Sequence, residues 1–130
     1  MQASSAQEAA IDRMVRLFYE RALADPMLGP LFREAIHDWE GHIALVRDFW
    51  SGAIHGTGRY TGNAFAPHMK LRIEPDAFGH WLAAFEGAAN NALAPQDAGK
   101  AVRIARHMAE SFKLGLFPFT TAEGQPSRVP

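Results

Sequence analysis

Apolar residues in this chain recur three and four positions apart over four long stretches, and nowhere alternate convincingly at a spacing of two. Ile11, Met14, Val15, Phe18 and Ala22 form the first set. Trp39, His42, Ile43, Val46, Phe49, Trp50 and Ala53 form the second. Phe78, Trp81, Leu82 and Phe85 form the third, and Val102, Ala105, Met108 and Phe112 lead to Leu116 in the fourth. That period gathers each set on one face of an α-helix, so the spacing predicts an all-α protein.

Punctuation sets the boundaries. Ser5 and Glu8 suit a capping box for the first helix. Asp25-Pro26 and Gly29-Pro30 interrupt the pattern, because a residue before proline avoids helical angles; a short turn from Leu28 to Phe32 bridges onward. Asp38 suits the cap of the second long helix. Gly56, Gly58 and Gly62 break the chain into a loop holding Arg59 and Tyr60. A second loop leads to a short helical turn at His68. Pro75 suits the first position of the third long helix, and the fourth begins near Pro95. One domain over 5–119 is expected, with frayed ends at 1–4 and 120–130.

Composition narrows the function classes. With 130 residues, 48 % of them hydrophobic and 21 % charged, the chain is too apolar to be disordered. At that length it buries roughly two-thirds of its unfolded surface without a staple. There is no cysteine. That excludes disulfide scaffolds, zinc–thiolate and iron–sulfur sites, cysteine catalysis and covalent c-type haem. The net charge of −1, with interspersed signs, gives nucleic acid no electrostatic footprint. No apolar run approaches the roughly 18 residues of a membrane span. The N-terminus does not read as a secretory leader, and a cytoplasmic protein is expected.

Six histidines in a cysteine-free helical chain direct attention to a metal or haem site. A lone histidine on a helix is ordinarily a surface or hydrogen-bonded residue, and His37, His55, His80 and His107 fit that reading. No HExxH or HxxxH pair is present, which leaves zincin and di-iron sites unsupported. His68 differs: it follows Pro67 and has Phe65, Met69 and Leu71 around it. An imidazole in apolar surroundings needs a partner for each nitrogen, and a metal on one with a carbonyl on the other would satisfy both. His42 lies on an inward helix face, where a hydrogen-bonded core histidine is the plainer reading. Core packing is likewise the plain reading of Tyr19 and Trp81, each with one polar atom to satisfy.

Taken in order, several stretches resemble the third group of truncated haemoglobins. They are Phe18-Tyr19-Glu20, Leu28-Gly29-Pro30-Leu31-Phe32, His42 through Phe49-Trp50, Gly56-Thr57-Gly58-Arg59-Tyr60-Thr61-Gly62, Pro67-His68-Met69-Lys70-Leu71, and Phe78 through Phe85. They run from about residue 6 to 117, and the glycine loop followed by Pro67-His68 is the most specific. The isolated glycines and the early first helix suit the third group better than its relatives.

The resemblance implies a two-over-two helical sandwich around haem b, with His68 as the proximal ligand of a five-coordinate iron. It makes Tyr19, His42 and Trp81 the polar groups of the distal pocket, and puts Phe32 and Val46 at apolar pocket positions. Tyr60 and Leu71 become cofactor contacts, and Arg59, Lys70 or Arg72 partners of the haem propionates. Three roles stay open for His42: lining the pocket, gating it, or touching the iron. Its place after Gly41 near a helix start favours a mobile gate. The implied function is reversible binding of oxygen, carbon monoxide or nitric oxide rather than enzymatic turnover. The alternative is a haem enzyme that detoxifies nitric oxide or peroxide with a separate reductase as electron donor. A cofactor-free helical interaction module is the remaining reading.

Overall fold

The computed structural model describes residues 3–60, 62 and 73–128. The helices among them are α1 (Ser5–Ala24), α2 (Leu28–Ala35), α3 (Trp39–His55), α4 (Ala77–Ala92) and α5 (Pro95–Leu116). α1 packs against α3 and α4 against α5; α1 also lies on α4, and α3 on α5, which is two helices over two. No described helix is long and apolar enough to cross a membrane. The short turn at His68 lies outside the described residues.

The apolar periods become the core. Ile11, Met14, Val15, Phe18 and Ala22 of α1 are buried against Phe85, Ala88 and Ala89 of α4. On α5 the buried face is Ala98, Ala101, Ala105 and Ala109, whereas Val102, Met108 and Phe112 are only half-buried. Methyl side chains let a helix come close, so they end up fully covered while the larger groups sit at the flanks.

Four features differ from expectation, the first being that the bridging turn is a helix, α2, which runs on past Phe32 to Ala35. The capping box sits one residue earlier: Ser4 Oγ accepts from the Gln7 amide at 3.1 Å, and Gln7 Oε1 accepts from the Ser4 amide at 2.8 Å. α4 starts at Ala77, two residues later, because Pro75 and Asp76 form the turn that leads into it. The tail carries a two-residue antiparallel pairing, Phe119–Thr120 with Pro126–Ser127, too short to leave any periodic signal.

Moving Ser4 into the cap leaves Glu8 for a different task. Ser51 of α3, fully buried, donates to Glu8 Oε1 at 2.7 Å and lies 2.9 Å from the Thr57 hydroxyl. Arg59 Nη2 reaches both Glu8 oxygens, at 3.0 and 2.9 Å, and its Nε donates to Asp48 at 3.1 Å. Farther along α1, Asp12 takes Arg47 at 2.8 Å and Arg16 at 3.1 Å, and Arg16 also grips Glu40 with two hydrogen bonds. α1 and α3 are thus joined by carboxylates facing arginines and one buried serine.

The start of α3 shows why a glycine stands where it does. Asp38 Oδ1 accepts from the Gly41 amide at 3.0 Å. A Cβ on residue 41 would collide with that same carboxylate. Gly41 therefore makes room for the cap rather than loosening the helix. At the other end Gly56 adopts a left-handed φ of 70°, which terminates α3.

Two sets of outcomes follow for stability, the first at the cap of α3. Asp38→Ala should cost about 1 kcal/mol in urea unfolding. Gly41→Ala should fail to deliver the gain of up to about 1 kcal/mol that alanine ordinarily brings to a helix interior. In the Gly41→Ala background, Asp38→Ala should cost almost nothing more, since the cap is already displaced.

The second concerns acid. Burial pushes the Glu8 and Asp12 carboxyls up, but hydrogen bonds from Ser51 and Arg59 to the one, and from Arg47 and Arg16 to the other, outweigh it and leave both lowered. A carboxyl lowered by folding stabilises the fold above its ordinary value. That stability is lost as pH falls through the folded value. Glu8→Gln should lower stability near neutral pH by about 1–2 kcal/mol. It should also flatten the acid limb below about pH 4.5, read by thermal melts.

Candidate functional site

Tyr19 anchors a group of rings between α1, α2 and the first turn of α3. It is 7 % exposed and meets four neighbours edge-on: Phe18 at 4.9 Å, Phe32 at 5.5 Å, Trp39 at 5.4 Å and His42 at 5.3 Å between centroids. Its hydroxyl lies 2.6 Å from His42 Nε2. Burial raises the Tyr19 pKa far above the phenol range, so the group is a neutral hydroxyl. One proton occupies the short bond. When the imidazole is the donor, the phenol O–H is left to point elsewhere.

His42 is thus held rather than loose. The expectation of a mobile imidazole rested on a frayed helix start, and here Asp38 caps that start while the His42 amide donates to the Asp38 carbonyl at 3.0 Å. Any outward swing has to break the bond to Tyr19.

Trp81 of α4 joins through Phe18, whose ring is 6.0 Å from it and 4.9 Å from Tyr19. It stacks on Phe85 at 5.6 Å with an interplanar angle of 13°, and that stack continues to Trp50 at 4.6 Å. Among the described residues its indole N–H has no hydrogen-bond partner. Phe32 contacts both Phe18 and Tyr19. Tyr19, His42, Phe32 and Trp81 are therefore brought into one aromatic cluster.

α3 carries a second apolar face. Ile43, Trp50 and Ile54 are buried in the core, but His42, Val46, Phe49 and Ala53, turned from them by roughly 100°, are half-buried. Leu45 beside them is 52 % exposed. Tyr60 adds its edge to this face, 5.3 Å from Phe49.

The remaining candidates separate. Arg59 is not brought to this cluster: Glu8 and Asp48 occupy its guanidinium, and Glu8 lies about 16 Å back along α1 from Tyr19. His68, Lys70, Leu71 and Arg72 lie outside the described residues. His80, read as solvated, pairs with Asp25 at 2.8 Å, and that carboxylate also accepts the Met27 and Leu28 amides ahead of α2. His55 sits 3.8 Å from Asp97, and Lys100 donates to the Ile54 carbonyl at 2.8 Å. Among the described residues no three histidine or carboxylate side chains converge on a metal position.

Sequence reasoning passed over Trp39 and Ser51. Trp39 was one apolar residue of a helical face, although its position three before His42 was the available signal. Ser51 sits in an otherwise helical pattern and left none.

No family model matches the chain. It is 28 % identical over 124 residues to the group 3 truncated hemoglobin of Campylobacter jejuni, covering 92 % of this chain and 98 % of that protein. The crystal structure of the group III truncated hemoglobin from Campylobacter jejuni matches the fold with a TM-score of 0.81 at 28 % identity, over 93 % of this chain and 99 % of that one. The fold is that of a truncated globin, and in sequence and structure the chain is similar to a group III truncated haemoglobin.

Proposed function

We propose that the chain binds haem b and takes a diatomic gas reversibly. The observation that carries this reading is the half-covered apolar face of α3 ending at the Tyr19–His42 hydrogen bond. A flat, largely apolar macrocycle suits such a surface, and the two polar groups stand at its edge. Val46, Phe32 and Tyr60 would line the cofactor with Leu71, and His68 would hold its iron, on the resemblance of Pro67-His68 to the family motif. Lys70 and Arg72 remain the candidates for its carboxylates; Arg59 already serves two carboxylates of the chain.

Haem, when bound, would supply an iron that takes a diatomic gas. The chain's own residues then set selectivity. With the imidazole as donor in that bond, Tyr19, neutral and buried, presents a hydroxyl that needs no reorganisation to donate. His42 fixes that hydroxyl, and Trp81 supplies a second N–H from a stacked ring that cannot easily turn. Phe18 and Phe32 keep water from the donors, which strengthens them. A second reading, chemistry on peroxide or nitric oxide with an external electron donor, draws on the same pair, since a phenol and an imidazole share one proton at 2.6 Å.

The absorption spectrum of the purified protein tests the first reading. A strong Soret band that shifts with carbon monoxide is expected, and His68→Ala should abolish stable cofactor retention. A chain that takes up no haem from excess would sink the proposal. Steady consumption of peroxide or nitric oxide with an added reductant would favour the second reading.

Ligand release tests the polar groups. Tyr19→Phe should speed oxygen dissociation roughly 10- to 150-fold, the equivalent of one charge-assisted hydrogen bond of about 1.5–3 kcal/mol. His42→Leu added to Tyr19→Phe should change little more, because the two act through one bond. Trp81→Phe should add its own increment. Stopped-flow rates for the single and double variants give the comparison.

A further inference from the structure

We infer that Trp39 is a positioning residue, whose indole holds the His42 imidazole on Tyr19 and keeps water from the bond between them. Trp39 is the first residue of α3, and His42 follows one turn later on the same side of the helix. Its ring meets Tyr19 edge-on at 5.4 Å and 73°, and His42 edge-on at 6.4 Å and 82°. Tyr19 and His42 complete the triangle at 5.3 Å and 73°. Each of the three rings thus touches the other two in the geometry that aromatic pairs favour. Phe18 and Phe32 also reach Tyr19, but Trp39 spans both partners of the hydrogen bond.

The backbone beneath Trp39 is fixed from two directions. Asp38 caps the turn, and Glu40, the next residue along, is gripped by Arg16 of α1 at 3.0 and 3.1 Å. The ring is itself half-buried and stands where solvent borders a 2.6 Å hydrogen bond. Water competes for a phenol and an imidazole wherever it reaches them, and a ring laid across both removes that competitor. A residue that merely filled the corner between α1 and α3 would need bulk, not an aromatic edge. Leucine and phenylalanine at position 39 therefore separate the two roles.

The test is histidine-selective nitrogen-15 NMR of the purified protein, and it does not depend on the haem reading. The wild type should show a proton in the Tyr19–His42 bond that exchanges slowly with water, on Nε2 or on the phenol oxygen as the Nε2 shift reports, and Tyr19→Phe should abolish it. Trp39→Leu should speed its exchange roughly 2- to 12-fold, the range expected for loss of an edge-to-face pair. Trp39→Phe should retain it. Should Trp39→Leu not fold, Trp39→Met takes its place. Equal protection in the phenylalanine and aliphatic variants would overturn the inference, even if all of them melt lower. In haem-loaded protein the same aliphatic variant should rebind carbon monoxide faster after flash photolysis. Failure of the chain to take up haem removes only that last measurement.

Discussion

Everything around the candidate site depends on how α1 lies along α3. The pairings run antiparallel: Glu8 meets Ser51, Asp12 meets Arg47, and Tyr19 meets His42. From Glu8 to Tyr19 this seam spans about 16 Å of helix. Exposed ion pairs of this kind contribute little each. A buried serine and a buried phenol at the two ends are different, because misalignment by one turn takes Glu8 from Ser51 and His42 from Tyr19, and the buried phenol then carries a desolvation penalty. The seam therefore sets register more than it adds stability, and register is what brings a phenol to an imidazole.

The same register explains the placement of the aromatic residues. Phe18, adjacent to Tyr19 on α1, points to α4 and meets Trp81 and Phe85, so one helix presents a polar aromatic to α3 and an apolar one to the opposite layer. α4 can lie that close because Ala88 and Ala89 are small. The stack of Trp81, Phe85 and Trp50 then ties the second layer back to α3.

Periodicity made the helices legible, since each long one buries a face large enough to impress a 3.6-residue pattern on the sequence. The Asp38 cap and the Pro95 start were legible because their chemistry is local. What escaped was anything decided by a distant partner. Ser4 and Ser5 are equivalent locally; Glu8 being drawn to Ser51 and Arg59 decides between them. Arg59 looked free for an anion because its two carboxylates lie 11 and 51 residues away. Gly41 looked like a loosening residue until the Asp38 carboxylate was seen in the space a side chain would occupy. Of the site, Tyr19, His42, Phe32 and Trp81 were readable as a group only through resemblance to a family; Trp39 needed the geometry.

The second apolar face of α3 has a consequence for what the folding free energy of this chain means. A helix that exposes Leu45 and half-exposes Val46 and Phe49 has surface whose contribution is set by whatever covers it, not by the chain alone. An occupant that binds only the folded form raises stability by mass action, so the melting temperature is a function of its concentration. Uncovered, Leu45 with the half-buried Val46 and Phe49 adds apolar surface to a small domain, where self-association competes with solubility. With haem as that occupant, as proposed, the folded fraction of the chain depends on cofactor supply.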